Sequence, residues 1–218
     1  MSYPVSYLKT KLYAAFYKTV LFRLGFGGRV GKDVWEKEYS GTSWDFLFSE
    51  DEQAHYDGLI KQIGQLGDIG DLLDIGCGEG VLYDYMTRSL KVPFIYHGID
   101  ISETAIRKGK EKHTGIDFKV CDFDYERVDG KFKLIIFNEV LYYFIKPIKT
   151  LQKAAADNLH PDGVMLLSMC EDPGGRNTQI WKNIDAHFKT LRHDIVRNSK
   201  GWVWNIKTVV PLNPVQTV

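Results

Sequence analysis

Short apolar runs alternate with amphipathic stretches along most of this 218-residue chain. Five of the runs have the composition of β-strands, and the stretches between them repeat apolar residues at helical spacing. The five strand-like runs cover residues 72–74, 94–100, 118–124, 133–139 and 164–169. The fourth run is nearly all apolar, which is typical of a central strand in a parallel sheet. Two later runs, 190–197 and 202–210, flank a turn-like segment at 198–201 and predict an antiparallel hairpin that closes the sheet.

Helix signals fill the intervals between these runs. Ser49 is a predicted N-cap, with Glu52 completing a capping box, for a helix that continues to about Leu66. Ser102 is predicted to cap the helix that follows the second strand. Residues 147–159 predict another helix, and the sequence His-Pro-Asp-Gly at 160–163 predicts a turn into the fifth strand.

The N-terminal residues 7–24 have the pattern of a basic amphipathic helix with many aromatic side chains. Charges every few residues exclude a buried membrane span, and no signal-peptide cleavage site follows. Two interpretations stay open, namely a helix packed on the domain or over the mouth of its active site, and a helix lying on an anionic membrane surface. We therefore divide the chain into an N-terminal part, residues 1–48, and a main domain, residues 49–218.

The charge and cysteine content narrow the class of protein. Twenty-eight basic and 28 acidic residues give a formal net charge of zero, which argues against a broad nucleic-acid-binding surface. The charge is uneven, because residues 1–32 contain six lysines and arginines and no acid. Cys77, Cys121 and Cys170 lie far apart without a C-x-x-C pair. This spacing predicts a reduced, cytoplasmic protein without a metal site.

The clearest chemical signal follows the first predicted strand. Asp74 begins an Asp-x-Gly-x-Gly-x-Gly motif with glycines at 76, 78 and 80, and a helical pattern starts at Val81. Alternate glycines suit a loop with unusual backbone angles that lets a ligand come close. The helix N-terminus adds free N–H groups at the same place. A dinucleotide fingerprint would need its third glycine or alanine at position 81, which is valine, so another nucleoside cofactor is indicated.

The motif resembles the first motif of class I S-adenosylmethionine-dependent methyltransferases, and the resemblance continues along the chain. Trp35, Tyr39 and Trp44 match an aromatic segment that caps the cofactor in small-molecule members. Residues 138–144, N-E-V-L-Y-Y-F, resemble the corresponding run of the nodulation N-methyltransferases, which act on the amino group of a sugar oligomer. The resemblance implies an α/β, Rossmann-like, doubly wound seven-stranded sheet with an antiparallel C-terminal hairpin and an N-terminal helical extension. It also implies S-adenosylmethionine as methyl donor and S-adenosylhomocysteine as product.

The ends of the second and third predicted strands, which follow the glycine loop in the chain, indicate further cofactor contacts. Asp100, at the end of the second predicted strand, can accept both ribose hydroxyls, and Ile101 beside it offers an apolar wall for adenine. The resemblance implies that Asp122 accepts the adenine amino group and that Phe123 contributes a backbone N–H; a self-contained Asx turn is the alternative. The predicted cofactor residues are Tyr39, Trp44, Asp74, Gly76, Cys77, Gly78, Gly80, Asp100, Ile101, Asp122, Phe123 and Asn138.

Residues beyond the fourth strand face the predicted reaction space, because open α/β sheets bind ligands at the carboxyl ends of their strands. Glu139 is the first candidate for a general base, His55 is the second, and Tyr143 is an orienting phenol. A satisfied structural histidine is the competing interpretation of His55, and cofactor binding is that of Glu139. Tyr142, Arg176 and Trp181 are candidate acceptor contacts, although 176 and 181 equally suit a plain surface region.

These features favour a methyltransferase that modifies a nitrogen or oxygen of a small molecule, with a sugar or glycoconjugate as first candidate. An RNA or protein methyltransferase and a non-catalytic nucleoside-binding module are the alternatives. Nucleic acid is disfavoured as a partner, since the D/N-P-P-Y/F motif of base-modifying methyltransferases is absent after the fourth strand. Peripheral membrane contact through residues 7–24 stays open, and the sequence does not indicate an oligomeric state.

Overall fold

The computed structural model of the chain describes residues 21, 25–41, 44–171 and 176–212, without the side chains of residues 45, 48 and 176. The predicted basic helix over residues 7–24 lies outside the described residues, apart from Leu21. In the described part of the chain, no helix combines the length and the hydropathy needed to cross a bilayer.

Seven strands form one mixed sheet. They are β1 (Asp71–Ile75), β2 (Ile95–Asp100), β3 (Asp117–Val120), β4 (Phe132–Asn138), β5 (Leu159–Cys170), β6 (Phe188–Arg197) and β7 (Val203–Pro211). Their order across the sheet is β3-β2-β1-β4-β5-β7-β6. The first five strands pair in parallel, and β7 pairs antiparallel with both β5 and β6. Successive strands are added on one side of β1 up to β3 and on its other side from β4 onward, and this switch point is where open α/β sheets bind ligands.

Helices connect β1 to β2, β2 to β3 and β4 to β5. The six α-helices of the described residues are α1 (Lys32–Ser40), α2 (Glu50–Gly64), α3 (Val81–Ser89), α4 (Glu103–Lys112), α5 (Pro147–Asn158) and α6 (Arg176–His187). Two 3-10 helices cover Asp45–Phe48 and Leu141–Tyr143. Ser102 caps α4 as predicted, because its Oγ accepts a 3.1 Å hydrogen bond from the N–H of Ala105.

The helices cover both faces of the sheet, which confirms the doubly wound prediction. Neighbouring strand residues point to opposite faces. Leu73 packs with residues of α5 and α6, whereas Leu72 packs with residues of α2, α3 and α4. The two core clusters therefore lie on either side of the sheet and hold its strand ends in fixed positions.

The C-terminal hairpin forms as predicted, with Arg197 opposite Val203 across its turn. The prediction of a turn at residues 160–163 is wrong. These four residues lie within β5, where the pairing with β4 shifts from Phe132 opposite Leu159 to Leu134 opposite Val164. The extra residues bulge out of the ladder, so the strand starts earlier than the hydrophobic pattern indicates.

The capping box predicted for α2 is also wrong. Ser49 precedes the helix, but its side chain makes no capping hydrogen bond. Its Oγ is buried and has no partner among the described residues. Glu52 instead turns its carboxylate toward His55 one turn along the same helix, so a competing contact within the helix replaces the capping box.

Candidate functional site

A cavity opens at the carboxyl ends of β1, β2 and β4, at the switch point of the sheet. All of the predicted cofactor residues except Gly80 line it, and so do Glu139, His55 and Tyr143. Residues that the sequence analysis did not single out as ligands complete the described lining, among them Arg29, Leu47, Tyr56, Val140 and Phe144. Most of the predicted site residues therefore come together in one place.

The glycine loop after β1 adopts a backbone that favours glycine. Gly76, Gly78 and Gly80 have φ angles of 78°, 55° and 86°, in the left-handed region that other residues rarely adopt. A Cβ on Gly76 would lie 2.5 Å from Val140, and one on Gly78 would lie 2.6 Å from the Tyr39 hydroxyl. A Cβ on Gly80 would lie 2.8 Å from the Phe118 ring. Gly80 thus shapes the packing below the loop and does not line the cavity.

Asp100 is held rigidly at the end of β2. Its carboxylate accepts hydrogen bonds from the N–H of Gly78 at 3.0 Å and of Ser102 at 2.9 Å. The residue is buried, and this burial raises the pKa of Asp100 to about 6 against the pull of the two N–H donors. A fixed acceptor therefore lies beside the glycine loop, as the sequence register predicts.

Several buried polar atoms of the lining lack a partner among the described residues. Oδ1 of Asp74 and Oδ1 of Asn138 are unpaired acceptors, and Nε1 of Trp44 is an unpaired donor. The other oxygen of Asp74 accepts a 2.6 Å hydrogen bond from Tyr96, and burial raises the pKa of Asp74 to about 7. An unpaired buried polar group costs about 1–3 kcal/mol, so the cavity offers unsatisfied groups that a polar ligand can satisfy.

Glu139 follows β4 with a φ angle of 56°. Its N–H donates to the carbonyl of Ser168 at 3.0 Å, and its Oε1 accepts a 2.7 Å hydrogen bond from the N–H of Cys170. Its Oε2 accepts a 2.8 Å hydrogen bond from the Tyr142 hydroxyl. Glu139 keeps some surface toward the cavity, but the surrounding protein desolvates the carboxylate and raises its pKa to about 7. The nearby His55 opposes this shift.

His55 is engaged through both ring nitrogens. Nδ1 lies 3.1 Å from Oε2 of Glu52, and Nε2 lies 2.9 Å from Oγ of Ser168. The imidazole stacks on the Trp204 indole with a centroid distance of 4.9 Å and an interplanar angle of 6°. The spacing of Glu52 and His55 on one helix was a usable sequence signal for the first contact. Ser168 lies 113 residues away from His55, and no local pattern indicates that contact.

Four aromatic rings, which we call the aromatic cap, line the cavity together with Glu139, and the cofactor contacts of Tyr39 and Trp44 stay predictions. Trp35 meets Tyr143 edge-on at 4.9 Å between ring centroids. Trp35 and Tyr39 each lie 5.8 Å from Trp44. These four aromatic rings connect the N-terminal part of the chain to the turn after β4.

The predicted adenine acceptor Asp122 already has a protein partner. The guanidinium of Arg29 contacts both carboxylate oxygens of Asp122, at 2.5 and 3.2 Å. Arg29 also bridges to Asp124 at 2.5 Å. The sequence analysis did not identify Arg29, because it precedes these acids by more than 90 residues. The adenine contact of Asp122 stays a prediction.

Tyr142 and Trp181, two of the three residues predicted to contact the methyl acceptor, do not line the described cavity. Tyr142 binds Glu139 but is not part of the cavity lining of the described residues. Trp181 is buried in the core cluster that also contains α5, under the amine of Lys207. Arg176 begins α6, and its side chain lies outside the described part. The roles of Tyr142, Arg176 and Trp181 in acceptor binding stay predictions.

Comparison with known proteins gives a family match. Residues 48–207 match the sequence model of a family described as a methyltransferase domain. A ribosomal protein L11 methyltransferase of Thermosipho africanus is 33% identical over 101 residues, which are 45% of this chain and 36% of that protein. The curated relatives are matched over about a quarter to a half of their own length, from 24% to 49%.

Solved structures share the fold. The N-methyltransferase NodS of Bradyrhizobium japonicum, in complex with S-adenosyl-L-homocysteine, has a TM-score of 0.69 at 16% identity. The matched region covers 84% of this chain and 98% of the NodS chain. The magnesium protoporphyrin IX methyltransferase of Synechocystis, with bound S-adenosylmethionine, has a TM-score of 0.58 at 18% identity. Here the matched region covers 92% of this chain and 96% of the Synechocystis chain. At these identities the likeness concerns the fold, and it confirms the predicted Rossmann-like architecture.

Proposed function

The chain belongs to the methyltransferase-domain family, whose class I members use S-adenosylmethionine, and we propose that it transfers the methyl group of that cofactor to a nitrogen or oxygen of a small molecule. A sugar or glycoconjugate is the first candidate for the acceptor. The observation that carries the proposal is the arrangement around Glu139, where a desolvated carboxylate lies under an aromatic cap in the same cavity as the glycine loop.

The residues of the cavity fit S-adenosylmethionine. Asp100 offers a fixed carboxylate to the ribose hydroxyls, and the buried oxygens of Asp74 and Asn138 offer unpaired acceptors to the ammonium group of the methionine part. The glycine loop and the N-terminus of α3 line the same space. When bound, the cofactor supplies a methyl group on a positively charged sulfur, which is already activated for transfer.

The chain itself has to hold the acceptor in line and keep water out. The aromatic cap of Trp35, Tyr39, Trp44 and Tyr143 lines the same cavity as Glu139. A concave cavity lined by aromatic and apolar side chains suits a small acceptor. The rings also suit a sugar, whose C–H face packs on aromatic surfaces.

Glu139 is the proposed general base. A protonated amine has no lone pair with which to attack the methyl group, and a hydroxyl is a weak nucleophile until it loses its proton, so a base that takes this proton assists the transfer. A carboxylate with a pKa of about 7 accepts a proton effectively near neutral pH. The hydrogen bonds from Cys170 and Tyr142 fix the orientation of that carboxylate. Both ring nitrogens of His55 already have a partner, so His55 is not the proposed base. In this proposal His55 opposes the rise in the pKa of Glu139.

Two measurements test the proposal. Calorimetry should show that the protein binds S-adenosylhomocysteine much more tightly than NAD. A radiolabelled methyl donor should then transfer label to amino or hydroxylated sugars and not to RNA or bulk protein. Tight NAD binding contradicts the cofactor assignment. Label found on RNA or protein contradicts the small-molecule assignment and favours the alternative acceptor class.

A variant separates catalysis from binding. Glu139→Gln keeps the shape of the side chain and removes its basicity, so turnover should fall by roughly 100-fold or more while affinity for S-adenosylhomocysteine changes little. Glu111→Gln is the matched control, because Glu111 is an exposed acid on α4 with 62% of its side chain accessible. A Glu139→Gln enzyme with wild-type turnover would show that this carboxylate is not the base.

A further inference from the structure

Arg29 is the one lysine or arginine among the described residues that line the cavity. Its guanidinium binds Asp122 through two nitrogens and Asp124 through one, and it lies 4.9 Å from the centre of the Tyr125 ring. Only 26% of the Arg29 side chain is accessible, and the Asp124 side chain is 6% accessible. This is a shielded, multidentate ion pair, which is a stronger kind of contact than an exposed salt bridge.

The same stretch of chain is fixed to the turn after β4. The N–H of Gly27 donates to the carbonyl of Ile145 at 3.1 Å, and the N–H of Gly28 donates to the carbonyl of Tyr142 at 2.7 Å. A Cβ on Gly27 would lie only 2.0 Å from the Phe144 carbonyl oxygen. The backbone therefore runs directly against this turn at the edge of the cavity.

The stretch then continues across the rest of the cavity as α1. The carboxylate of Glu36 accepts hydrogen bonds from the N–H groups of Glu103 and Thr104, at 2.6 and 3.1 Å, at the start of α4. Tyr39 lies over the glycine loop. Residues 25–41, which we call the N-terminal strap, thus touch the Asp122 turn, the helix that follows Asp100, and the glycine loop.

Four strap residues, Arg29, Val30, Trp35 and Tyr39, line the cavity, and Arg29 is the charged anchor of the strap at the end where Asp122 lies. Without Arg29, the carboxylates of Asp122 and Asp124, two residues apart, lose the cation that pairs with both of them among the described residues. Such like charges in a partly buried place repel and disorder the turn. Asp122 would then lose its fixed orientation, and the strap would lose its anchor at the same time.

We propose that Arg29 is a positioning residue for the cofactor, because it orients Asp122 and anchors the N-terminal strap over the bound nucleoside. This inference rests on the proposed function, since it takes S-adenosylmethionine and its product to occupy the cavity. It adds that the rate of cofactor release is governed by an ion pair between the strap and the turn after β3. Lysine cannot replace arginine fully here, because a single ammonium group does not bind one carboxylate in the bidentate manner while it also contacts a second.

The test measures S-adenosylhomocysteine binding to the full chain by stopped flow and calorimetry. Arg29→Ala should raise the dissociation constant by about tenfold or more, mainly through faster dissociation. Arg29→Lys should lie between wild type and Arg29→Ala. Lys32→Ala is the matched control on the same strap, since it removes a more exposed ion pair with Glu103, and its affinity should stay within about twofold of wild type.

A second measurement follows the strap without any ligand. Hydrogen exchange of the peptide that contains the Gly27 and Gly28 amides should be faster in Arg29→Ala than in wild type or Lys32→Ala. Asp124→Asn should shift both measurements in the same direction, which provides an independent variant if Arg29→Ala does not fold. Equal dissociation rates and equal hydrogen exchange in wild type and Arg29→Ala would overturn the proposed role of Arg29 but not the proposed function. A wild-type chain that does not bind S-adenosylhomocysteine would overturn the proposed function together with it.

Discussion

The hydroxyl of Tyr142 donates a 2.8 Å hydrogen bond to Oε2 of Glu139. The two residues lie on either side of the start of the 3-10 helix Leu141–Tyr143, directly after β4. The bond stabilises the ionised carboxylate, and it therefore opposes the burial that raises the pKa of Glu139. The geometry links the protonation of the proposed base to one neighbouring phenol.

Replacing Tyr142 by phenylalanine should move the pH profile of the enzyme. As a base, Glu139 acts only when ionised, so kcat/KM should rise with pH through a pKa of about 7 in the wild type. Tyr142→Phe removes a stabilising donor and should shift this limb to higher pH. Tyr83→Phe, which alters a tyrosine outside the described cavity lining, should leave it in place. An unchanged profile in Tyr142→Phe would contradict the assignment of that limb to Glu139.

Glu139→Gln should stabilise the fold at alkaline pH. The pKa of this carboxyl is raised from 4.5 to about 7 in the folded chain, so between these values the folded state holds more protons than the unfolded state. Stability then falls as pH rises through this window, and the glutamine variant does not share that loss. The variant should gain on the order of 1–2 kcal/mol over wild type at pH 8, with little difference near pH 4.

Urea unfolding of both proteins at a series of pH values measures this difference. Glu111→Gln serves again as the control, because its carboxylate is largely exposed. A stability difference between wild type and Glu139→Gln that does not vary with pH would show that the carboxyl is not destabilised by its surroundings.

Asp100→Asn should weaken cofactor binding. The amide keeps one acceptor oxygen but loses the second, and one of the two N–H donors, from Gly78 or Ser102, then faces an NH₂ group. We expect the dissociation constant for S-adenosylhomocysteine to rise by about tenfold or more. Asp157→Asn, at an exposed position of α5, is the calorimetric control. Wild-type affinity in Asp100→Asn would refute the ribose assignment.

Gly80→Ala should destabilise the protein more than Gly115→Ala. The two glycines have nearly the same φ, 86° and 85°, so the backbone penalty is alike, at about 1 kcal/mol. The Gly80 Cβ would lie 2.8 Å from Phe118, whereas a Cβ on Gly115 would meet no atom within 4 Å. The Gly80 variant therefore carries an added steric cost of about 1–3 kcal/mol. Equal midpoints of chemical unfolding would show that the Phe118 contact adjusts without cost.

The local patterns of the sequence were sufficient for most of the fold and for bringing most of the predicted site residues to one cavity. The motif from Asp74 to Gly80 is continuous, so its strand, loop and helix start are decided by neighbouring residues. Asp100 follows from the same logic, because parallel strands bring their carboxyl ends to one edge. The patterns failed at Ser49, where Glu52 contacts His55 within the same helix, and at residues 160–163, where pairing with β4 extends the strand.

The sequence by itself determined which elements form and which of their ends carry polar groups, because periodicity and turn chemistry act between residues close in the chain. Only the tertiary structure decided that Arg29 binds Asp122 and that Ser168 binds His55, across 93 and 113 residues. The tertiary structure also decided that Tyr39 lies over Gly78. Such contacts depend on how complete elements pack, and a single side chain gives no local sign of a partner that only packing brings near.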